Sequence, residues 1–167
     1  MHDLCGYGKC SLGVAIPVLS AAGCDVCPVP TGLFSSHTAF PTFYMHDTTE
    51  MLSDYLDAWK AVGIGIDAVY SGFLARPNRW TASSACTRII RTRCAWWTPS
   101  WPTTQGLPHV HAELCEAMGS LADGADILTP NLTEASIILG IEWPGQNIDD
   151  DTVHKMIDAL RERGAKN

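Results

Sequence analysis

Apolar positions along the chain fall into alternating helical and extended patterns. The clearest helix pattern begins near Asp47, where Glu50 follows at capping-box spacing, and its apolar residues recur every three or four positions as far as Val62. Short apolar runs bounded by glycine or proline predict buried strands between the helices. Helices are predicted over 11–22, 47–62, 113–121, 133–139 and 149–163, strands over 25–28, 67–71 and 126–129, and a glycine-bearing loop over 3–10.

This order of elements indicates the fold class. Strands that alternate with helices form βαβ units, so the sequence predicts an α/β fold whose mostly parallel sheet is covered by helices on both faces. Such sheets bind ligands at the carboxyl ends of their strands. Functional side chains are therefore expected in residues 31–38, 71–74 and 129–134, which follow the predicted strands.

Length and composition narrow the possible partners. A chain of 167 residues suits one domain, taken as 1–167, and 46% hydrophobic residues are enough for a packed core. The net charge of −7, without a basic run, argues against nucleic acid. The longest apolar stretch, 12–22, contains Pro17 and is too short to cross a bilayer, so we expect no membrane partner and a cytoplasmic location.

The cysteines and histidines give no metal-site spacing. Seven cysteines are an odd number, so they cannot all pair within the chain, which fits a cytoplasmic protein. Cys24 and Cys27 form a single C-x-x-C, and the remaining cysteines supply no second pair at zinc-site spacing. We predict that these two residues are buried free thiols in a strand.

Four sequence blocks resemble pyridoxal kinases of the ribokinase-like superfamily. They are HDLCGYGKCSLGVAIPVLSAAG from His2, CPVPTGLFSSHT from Cys27, DAVYSGFL from Asp67 and ADILTPNLTEASIILG from Ala125, and they occur in family order at family-like spacing. The resemblance implies a partial ribokinase-like three-layer α/β/α fold. It also implies ATP- and Mg²⁺-dependent phosphorylation of pyridoxal, a form of vitamin B6, at its 5′-hydroxymethyl group to give pyridoxal 5′-phosphate.

The resemblance implies roles for individual residues. The vitamin-binding positions are Asp3, Gly6, Thr38 and Phe73, and the nucleotide-binding positions are Thr129, Asn131 and Glu134. Glu134 is also the implied Mg²⁺ ligand, because Mg²⁺ prefers hard oxygen ligands. Read without the resemblance, Glu134 is a carboxylate that favours a helix N-terminus through the helix dipole. Family members are commonly dimers, so a homodimer is a further expectation.

Two departures from the family concern the ends of the matched region. We expect the chain to be truncated at both ends: it starts in the loop that follows the family's first strand, and it stops before the family's G-x-G-D segment. That segment supplies an anion hole at a helix N-terminus and the catalytic aspartate. No G-x-G-D occurs in the 167 residues, so no catalytic residue is assigned.

Residues 79–112 do not resemble the family. The stretch from Arg79 to Gly106 holds four of the six tryptophans and no acidic residue, where the family has a strand ending in D-P-V-M-x-D. Tryptophan has one codon, TGG, so reading Trp96-Trp97-Thr98 two bases later forces Val-Asp, and the following codons permit Pro-Val-Met-Ala-Asp-Asn. We infer that this segment is a frameshifted translation, irregular and poorly packed, with exposed tryptophans; the alternative is a natural insertion.

Three functional hypotheses follow from the sequence. The first is a pyridoxal kinase by descent. The second is a hydroxymethylpyrimidine kinase or sugar kinase of the same superfamily. The third is a catalytically inactive fragment, which the missing G-x-G-D and D-P-V-M-x-D motifs favour for the chain as it stands. The first and third are compatible, because ancestry and present activity are separate properties.

Overall fold

The computed structural model describes residues 1–72, the backbone of 94–97, and residues 125–142, 144–145 and 147–163. The strands of the described residues are β1 (His2–Cys5), β2 (Pro30–Phe34), β3 (Met45–Asp47), β4 (Ala68–Ser71), β5 (Cys94–Trp97) and β6 (Ile127–Leu128). The α-helices are α1 (Leu12–Ala21), α2 (Leu52–Ala61), α3 (Leu132–Leu139) and α4 (Asp150–Glu162), and a 3₁₀ turn (Thr49–Met51) precedes α2.

The strands form two three-stranded sheets in which most strand pairs are parallel, as the element order predicts. β1 pairs parallel with β2, β2 pairs antiparallel with β3, and β4, β5 and β6 pair parallel in that order. Met1 joins the two halves, because its amino group donates to the Tyr70 carbonyl at 2.6 Å and its carbonyl accepts from the Gly72 amide at 3.0 Å. Met1 thus places the β1 edge of the first sheet beside the β4 edge of the second, and the order across both sheets is β3-β2-β1-β4-β5-β6.

The apolar stripe of α2 supplies the main core contact. Leu52 and Leu56 are almost fully buried, and they cluster with Met1, Val29 and Val69 from the sheet and the segments leading into it. The three-and-four spacing of the stripe thus places α2 against the junction of β1 and β4. These contacts lie at the amino ends of β1 and β2, so the carboxyl ends of the two strands are left for the loops of the candidate site.

Capping residues define the ends of the two C-terminal helices. Asn131 is the N-cap of α3, and Gly140 adopts φ of 66° at its C-cap, a left-handed conformation that suits glycine. The Asp149 carboxylate caps α4 by accepting from the Thr152 amide at 2.8 Å. These residues confirm the predicted helices over 133–139 and 149–163, apart from the end of the second at Gly164, which lies outside the described residues.

Two predicted boundaries in the N-terminal half are wrong. The strand placed at 25–28 lies at Pro30–Phe34, and the predicted loop over 3–10 contains strand β1, so the chain begins with a strand and not in the loop after one. Both strands carry buried polar side chains, Asp3 in β1 and Thr31 in β2, which interrupt the apolar run that sequence patterns use. Pro30 fits the first position of a strand, where proline is tolerated.

Two smaller expectations also need correction. Cys24 and Cys27 are free thiols, as predicted, but both are exposed and lie outside any strand. The segment that contains them turns at the protein surface between α1 and β2, so the sulfur atoms have no core to enter. Asp47 is not the N-cap of α2, which is Met51. Its Oδ1 atom instead accepts from the Thr49 amide at 2.8 Å and closes the turn before the 3₁₀ segment.

The anomalous segment contains at least one regular element. Cys94–Trp97 forms β5, paired in parallel register with β4 on one side and β6 on the other, so the prediction that 79–112 is irregular is wrong for these four residues. Aromatic residues favour extended backbone, and the ladder needs only backbone groups from the central strand. The rest of 79–112, including Trp101, and the helix predicted over 113–121 lie outside the described residues.

None of the helices in the described part of the chain has the length and hydropathy that a membrane crossing requires.

Candidate functional site

The loops that follow β1 and β2 are joined by backbone hydrogen bonds. The Gly6 amide donates to the Phe34 carbonyl at 2.8 Å, the Tyr7 amide donates to the Ser35 carbonyl at 3.1 Å, and the His37 amide donates back to the Tyr7 carbonyl at 2.9 Å. Both loops leave the carboxyl ends of parallel neighbouring strands, the place where α/β sheets bind ligands. The two loops therefore form one rigid rim, termed the β1–β2 rim below.

Two glycines allow this close approach. A Cβ atom on Gly6 would lie 3.1 Å from the Ser35 carbonyl oxygen, which is tighter than ordinary van der Waals contact. Gly8 has φ of 125°, a conformation that side chains disfavour, and a Cβ there would lie 3.0 Å from the His37 Cβ. Gly6 thus lies in the loop that the resemblance assigns to the vitamin pocket. Glycine is favoured there because a side chain would crowd the Ser35 carbonyl group.

Asp3 lies buried at the base of the rim, in β1. Its Oδ1 atom is 2.7 Å from His2 Nδ1, and its Oδ2 atom accepts from the Cys5 thiol at 3.4 Å. Burial alone would raise the pKa of Asp3, but the hydrogen bonds from His2, Ser11 and Cys5 and the charge of His2 outweigh it and hold the pKa below its usual value. The rim therefore has an ionised carboxylate beneath it at neutral pH.

His2 packs against the end of β4. A Cβ atom on Gly72 would overlap the His2 imidazole, so glycine at 72 makes the space that the ring occupies. The ring also lies 6.2 Å from the Tyr70 ring, centroid to centroid. His2 thereby connects the carboxylate of β1 to the neighbouring strand.

Thr38 is an exposed residue in the turn that ends the β2 loop. The turn is held by the Phe40 amide, which donates to the His37 carbonyl at 3.0 Å, and by the Ala39 amide, which donates to His37 Nδ1 at 3.0 Å. The structure therefore brings Gly6 and Thr38 into the joined loops, with Asp3 below them. Phe73, the fourth predicted vitamin-binding residue, lies outside the described residues.

Aromatic side chains surround the same rim. Tyr7 and Phe40 are exposed and meet edge to face at 5.7 Å between ring centroids, and Phe43 lies 5.8 Å from Phe34. Tyr44, which is 68% exposed, follows directly. Exposed aromatic groups beside a polar base suit a flat aromatic ligand, since offset or edge-on ring contacts are favourable.

The predicted nucleotide-binding residues lie after β6. Asn131 and Glu134 form a capping box on α3: the Asn131 amide donates to Glu134 Oε2 at 2.7 Å, and the Glu134 amide donates to Asn131 Oδ1 at 3.0 Å. Glu134 is 2% exposed, and Thr129 is exposed at the end of the strand. Glu134 thus lies in the first turn of a helix, where a carboxylate is favoured, and its Oε2 atom is engaged in the capping box.

The two groups of residues share one edge of the sheet. β1 and β6 run in the same direction, and β4 and β5 lie between them. Three strand spacings correspond to about 14 Å, so the β1–β2 rim and the start of α3 lie about that far apart across the edge.

Sequence reasoning missed a cluster formed by Asp3, Cys5 and Cys10. One ligand atom from each lies within 4.8 Å of the others. Burial, followed by the neighbouring Cys10 sulfur and the charge of Asp3, raises the pKa of Cys5 to about 12. The only sequence signal is the spacing D-x-C-x₄-C, which becomes meaningful once the loop after β1 folds back to bring Cys10 over Cys5.

A separate apolar cleft of about 510 Å³ lies between α3 and α4, with Leu128, Pro130 and Asn131 at one end and Met156 and Leu160 along one wall. It was not predicted from the sequence.

Comparison with known proteins points to one group of kinases. No family model and no curated protein matches the sequence. Among solved structures, a protein from Bacteroides thetaiotaomicron assigned as a phosphomethylpyrimidine kinase, in a crystal form with pyridoxal, has a TM-score of 0.88 and 30% sequence identity over 98% of this chain and 58% of that one.

Two pyridoxal kinases have the same architecture. The enzyme from Lactobacillus plantarum has a TM-score of 0.82 and 25% identity, covering 98% of this chain and 59% of that one. The enzyme from Leishmania donovani, in complex with ADP and pyridoxine, has a TM-score of 0.85 and 19% identity, covering 98% and 59%. The chain thus spans less than two thirds of the length of these kinases. It has the ribokinase-like α/β fold, and its resemblance to pyridoxal kinases is confirmed by the structures that share that fold.

Proposed function

We propose that the chain binds pyridoxal at the β1–β2 rim, as part of a kinase fold whose reaction is transfer of the γ-phosphoryl group of ATP to the 5′-hydroxymethyl group of that vitamin. The observation that carries this proposal is the joining of the two loops by three backbone hydrogen bonds at the carboxyl ends of β1 and β2. A rim held in this way is organised before any ligand arrives, so little conformational entropy is lost on binding.

The chemistry around the rim matches a flat aromatic vitamin. Tyr7 and Phe40 offer ring faces and edges, the Thr38 hydroxyl offers a hydrogen bond, and the ionised Asp3 carboxylate attracts a protonated ring nitrogen or orients a hydroxyl through the loop. Phe73 is the proposed fourth contact by resemblance alone. None of these residues performs covalent chemistry in the proposal; they position the hydroxymethyl group.

The nucleotide side is proposed to lie at the start of α3, about 14 Å across the sheet edge. Thr129 and Asn131 would contact the phosphates, and the Glu134 carboxylate would hold the Mg²⁺ ion that neutralises phosphate charge during transfer. A helix N-terminus also favours anions nearby.

A hydroxymethylpyrimidine kinase is the second candidate. The structural neighbour from Bacteroides thetaiotaomicron at 30% identity is assigned as a phosphomethylpyrimidine kinase, yet one of its crystal forms contains pyridoxal. Both substrates are aromatic nitrogen heterocycles with a hydroxymethyl arm, so the same rim can accept either. Competition between the two compounds for one binding site separates these candidates.

The first experiment measures pyridoxal binding to the purified chain by isothermal titration calorimetry, with 4-amino-5-hydroxymethyl-2-methylpyrimidine as competitor. We expect saturable 1:1 binding of pyridoxal and weaker binding of the pyrimidine. The reverse preference would support the second candidate, and failure of both to bind would contradict the proposed site.

A pair of glycine variants tests whether the rim is the binding site. Gly8→Ala introduces strain at φ of 125° and presses on His37, whereas Gly63→Ala introduces milder backbone strain at φ of 72° with no neighbour within 4 Å. Both variants lose backbone freedom, but only the first disturbs the rim. We expect pyridoxal affinity to fall about tenfold or more in Gly8→Ala, a loss of roughly 1.4 kcal/mol, and to remain unchanged in Gly63→Ala.

A further inference from the structure

We propose that Asp3, Cys5 and Cys10 form a binding site for one Zn²⁺ ion, with the fourth coordination position left to water or to a ligand. This site shares Asp3 with the proposed vitamin-binding residues, but its formation does not depend on the phosphoryl-transfer function. It lies where the loop after β1 turns back toward the start of α1, between the strand end and Ser11.

The distances favour this assignment. In tetrahedral zinc geometry, a sulfur ligand and an oxygen ligand lie about 3.5 Å apart, and the Cys5 Sγ–Asp3 Oδ2 distance is already 3.4 Å. The Cys10 sulfur completes a group whose ligand atoms lie within 4.8 Å of one another. Because two sulfur ligands of a tetrahedral zinc ion lie about 3.8 Å apart, shifts of no more than about 1 Å complete three ligands.

The ligand types select the metal. Two thiolates are soft ligands that favour Zn²⁺ over Mg²⁺ or Ca²⁺, and one carboxylate is a common third ligand for zinc. Three protein ligands with an open position are the pattern of zinc sites that bind a water or a substrate. The site is therefore distinct in chemistry from an Mg²⁺ site at Glu134.

The surroundings orient the carboxylate for this role. His2 Nδ1 lies 2.7 Å from Asp3 Oδ1, so it holds one carboxylate oxygen and leaves Oδ2 directed at the Cys5 sulfur. Such outer hydrogen bonds to a ligating carboxylate fix its orientation. The space that Gly72 provides for the His2 ring thus also supports the metal site.

The partial burial of the site suits a bound metal ion, which would be held by buried ligands and reach them from solvent. Asp3 and Cys5 are buried, and Cys10 is half-buried on the solvent side, which leaves a route for the ion. An ionised buried carboxylate is stabilised by a nearby cation. On binding, the two thiols lose their protons to solvent and form two Zn–S bonds, the carboxylate binds without proton loss, and no atom is oxidised or reduced.

The test uses Co²⁺ as a spectroscopic substitute for Zn²⁺. The full chain carrying Cys24→Ser and Cys27→Ser, which removes the exposed C-x-x-C pair, is titrated with Co²⁺ under reducing, oxygen-free conditions. We expect 1:1 binding, a near-ultraviolet thiolate-to-cobalt charge-transfer band of the intensity of two thiolates, and displacement of Co²⁺ by Zn²⁺.

Single variants in that background assign the ligands. Cys5→Ser and Cys10→Ser should each reduce the band to the intensity of one thiolate, and Asp3→Asn should retain the band while weakening metal affinity at least about tenfold. His2→Gln should weaken affinity by about 10- to 100-fold without changing the band. Far-UV circular dichroism checks the fold of each variant, and the half-buried Cys10 position keeps the test valid if Cys5→Ser does not fold.

Three results would overturn the assignment. They are a complete lack of the charge-transfer band at saturating Co²⁺, an undiminished band in both Cys5→Ser and Cys10→Ser, and a stoichiometry of one metal ion for two chains. None of these results bears on pyridoxal binding, which is measured separately.

Discussion

Gly72 is the position at which one added methyl group tests the packing beneath the candidate site. A Cβ atom there would overlap the His2 imidazole, and His2 is only 6% exposed, so the ring has little free space into which to retreat. Gly72 is not among the glycines with positive φ, so alanine fits its backbone conformation without strain. The effect of Gly72→Ala therefore reports on the contact with His2.

The size of the effect follows from the geometry. Nonbonded carbon atoms rest about 3.5–4 Å apart, so the His2 ring must move by about 1 Å or more. That movement breaks the 2.7 Å contact between His2 Nδ1 and Asp3 Oδ1. Overpacking costs about 1–3 kcal/mol, and a hydrogen bond to a charged group contributes about 1.5–3 kcal/mol. We expect Gly72→Ala to lower the free energy of unfolding by about 2–4 kcal/mol, since relaxation of the ring offsets part of the combined loss.

A double-mutant cycle measures this contact directly. Urea unfolding followed by far-UV circular dichroism gives the free energy of unfolding for the wild type, Gly72→Ala, His2→Ala and the double variant. In the His2→Ala background the new methyl group enters the space that the ring has left, so its cost should fall below about 0.5 kcal/mol.

Gly65→Ala is the matched control. Gly65 also lacks a positive φ, and nothing lies within 4 Å of a Cβ at that position, so the substitution should be neutral or slightly stabilising. Additive effects of Gly72→Ala and His2→Ala would refute the reasoning, because they would mean that the two residues do not share one packed space.

Three further predictions concern Glu134, Asp3 and turnover. Glu134→Gln should keep the capping box and the thermal midpoint but weaken Mg²⁺·ATP binding measured by calorimetry. Glu134→Ala should weaken that binding and also lower the free energy of unfolding by about 1 kcal/mol. If Glu134→Gln bound Mg²⁺·ATP as tightly as the wild type, helix capping would be the whole role of Glu134. The pKa of Asp3 is lower in the folded state than in the unfolded state, where it is near ~4. The stabilising contribution of Asp3 should therefore be complete above the unfolded pKa and disappear as pH falls through the folded pKa. The urea midpoint, measured from pH 6 downwards, should consequently fall more for the wild type than for Asp3→Asn. The 167-residue chain should form no appreciable pyridoxal 5′-phosphate in an ATP-dependent assay, since its sequence contains no G-x-G-D anion hole; turnover at an ordinary enzyme rate, abolished in Glu134→Ala, would contradict this.

Elements with strong local signals could be predicted from the sequence. α3 and α4 are marked at their starts by Asn131 and Asp149, whose side chains accept hydrogen bonds from the first-turn amides, and α3 is also marked at its end by Gly140. These interactions depend on residues three or four positions apart, so no knowledge of the rest of the fold is needed. β4 was predicted for a similar reason, as a short apolar run between two turns.

β1 and β2 could not be predicted in the same way, because their burial depends on distant partners. The sequence His-Asp-Leu-Cys is half polar, yet Asp3 is buried because His2, Ser11 and Cys5 satisfy its carboxylate. Thr31 in β2 is fully buried despite its hydroxyl group. Polar groups can be buried where hydrogen bonds compensate them, and a one-dimensional hydrophobic pattern does not contain that information.

The same distinction between local signals and long-range contacts applies to the residues of the candidate site. Gly6 and Thr38 were identified through the resemblance, and the structure places their loops together, but the reason for Gly6 emerges only from its approach to the Ser35 carbonyl. The Asp3–Cys5–Cys10 cluster needs the loop after β1 to return to its own strand end, a tertiary arrangement that the spacing D-x-C-x₄-C permits but does not require.

The geometry therefore supports the proposed vitamin side, at the β1–β2 rim, more strongly than the proposed nucleotide side at the start of α3. On the vitamin side, the Gly6–Phe34 hydrogen bond completes the last pair of the β1–β2 ladder, whereas the two hydrogen bonds that join Tyr7 to Ser35 and His37 lie beyond the strands and hold the loops in the geometry to which we assign ligand binding. On the nucleotide side, Asn131 and Glu134 are sufficiently explained by the capping box that they form. Helix capping alone is thus a sufficient reason for the T-P-N-L-T-E sequence at this position. Binding of pyridoxal should consequently be separable from binding of Mg²⁺·ATP, and pyridoxal binding is the more direct test of the proposed function.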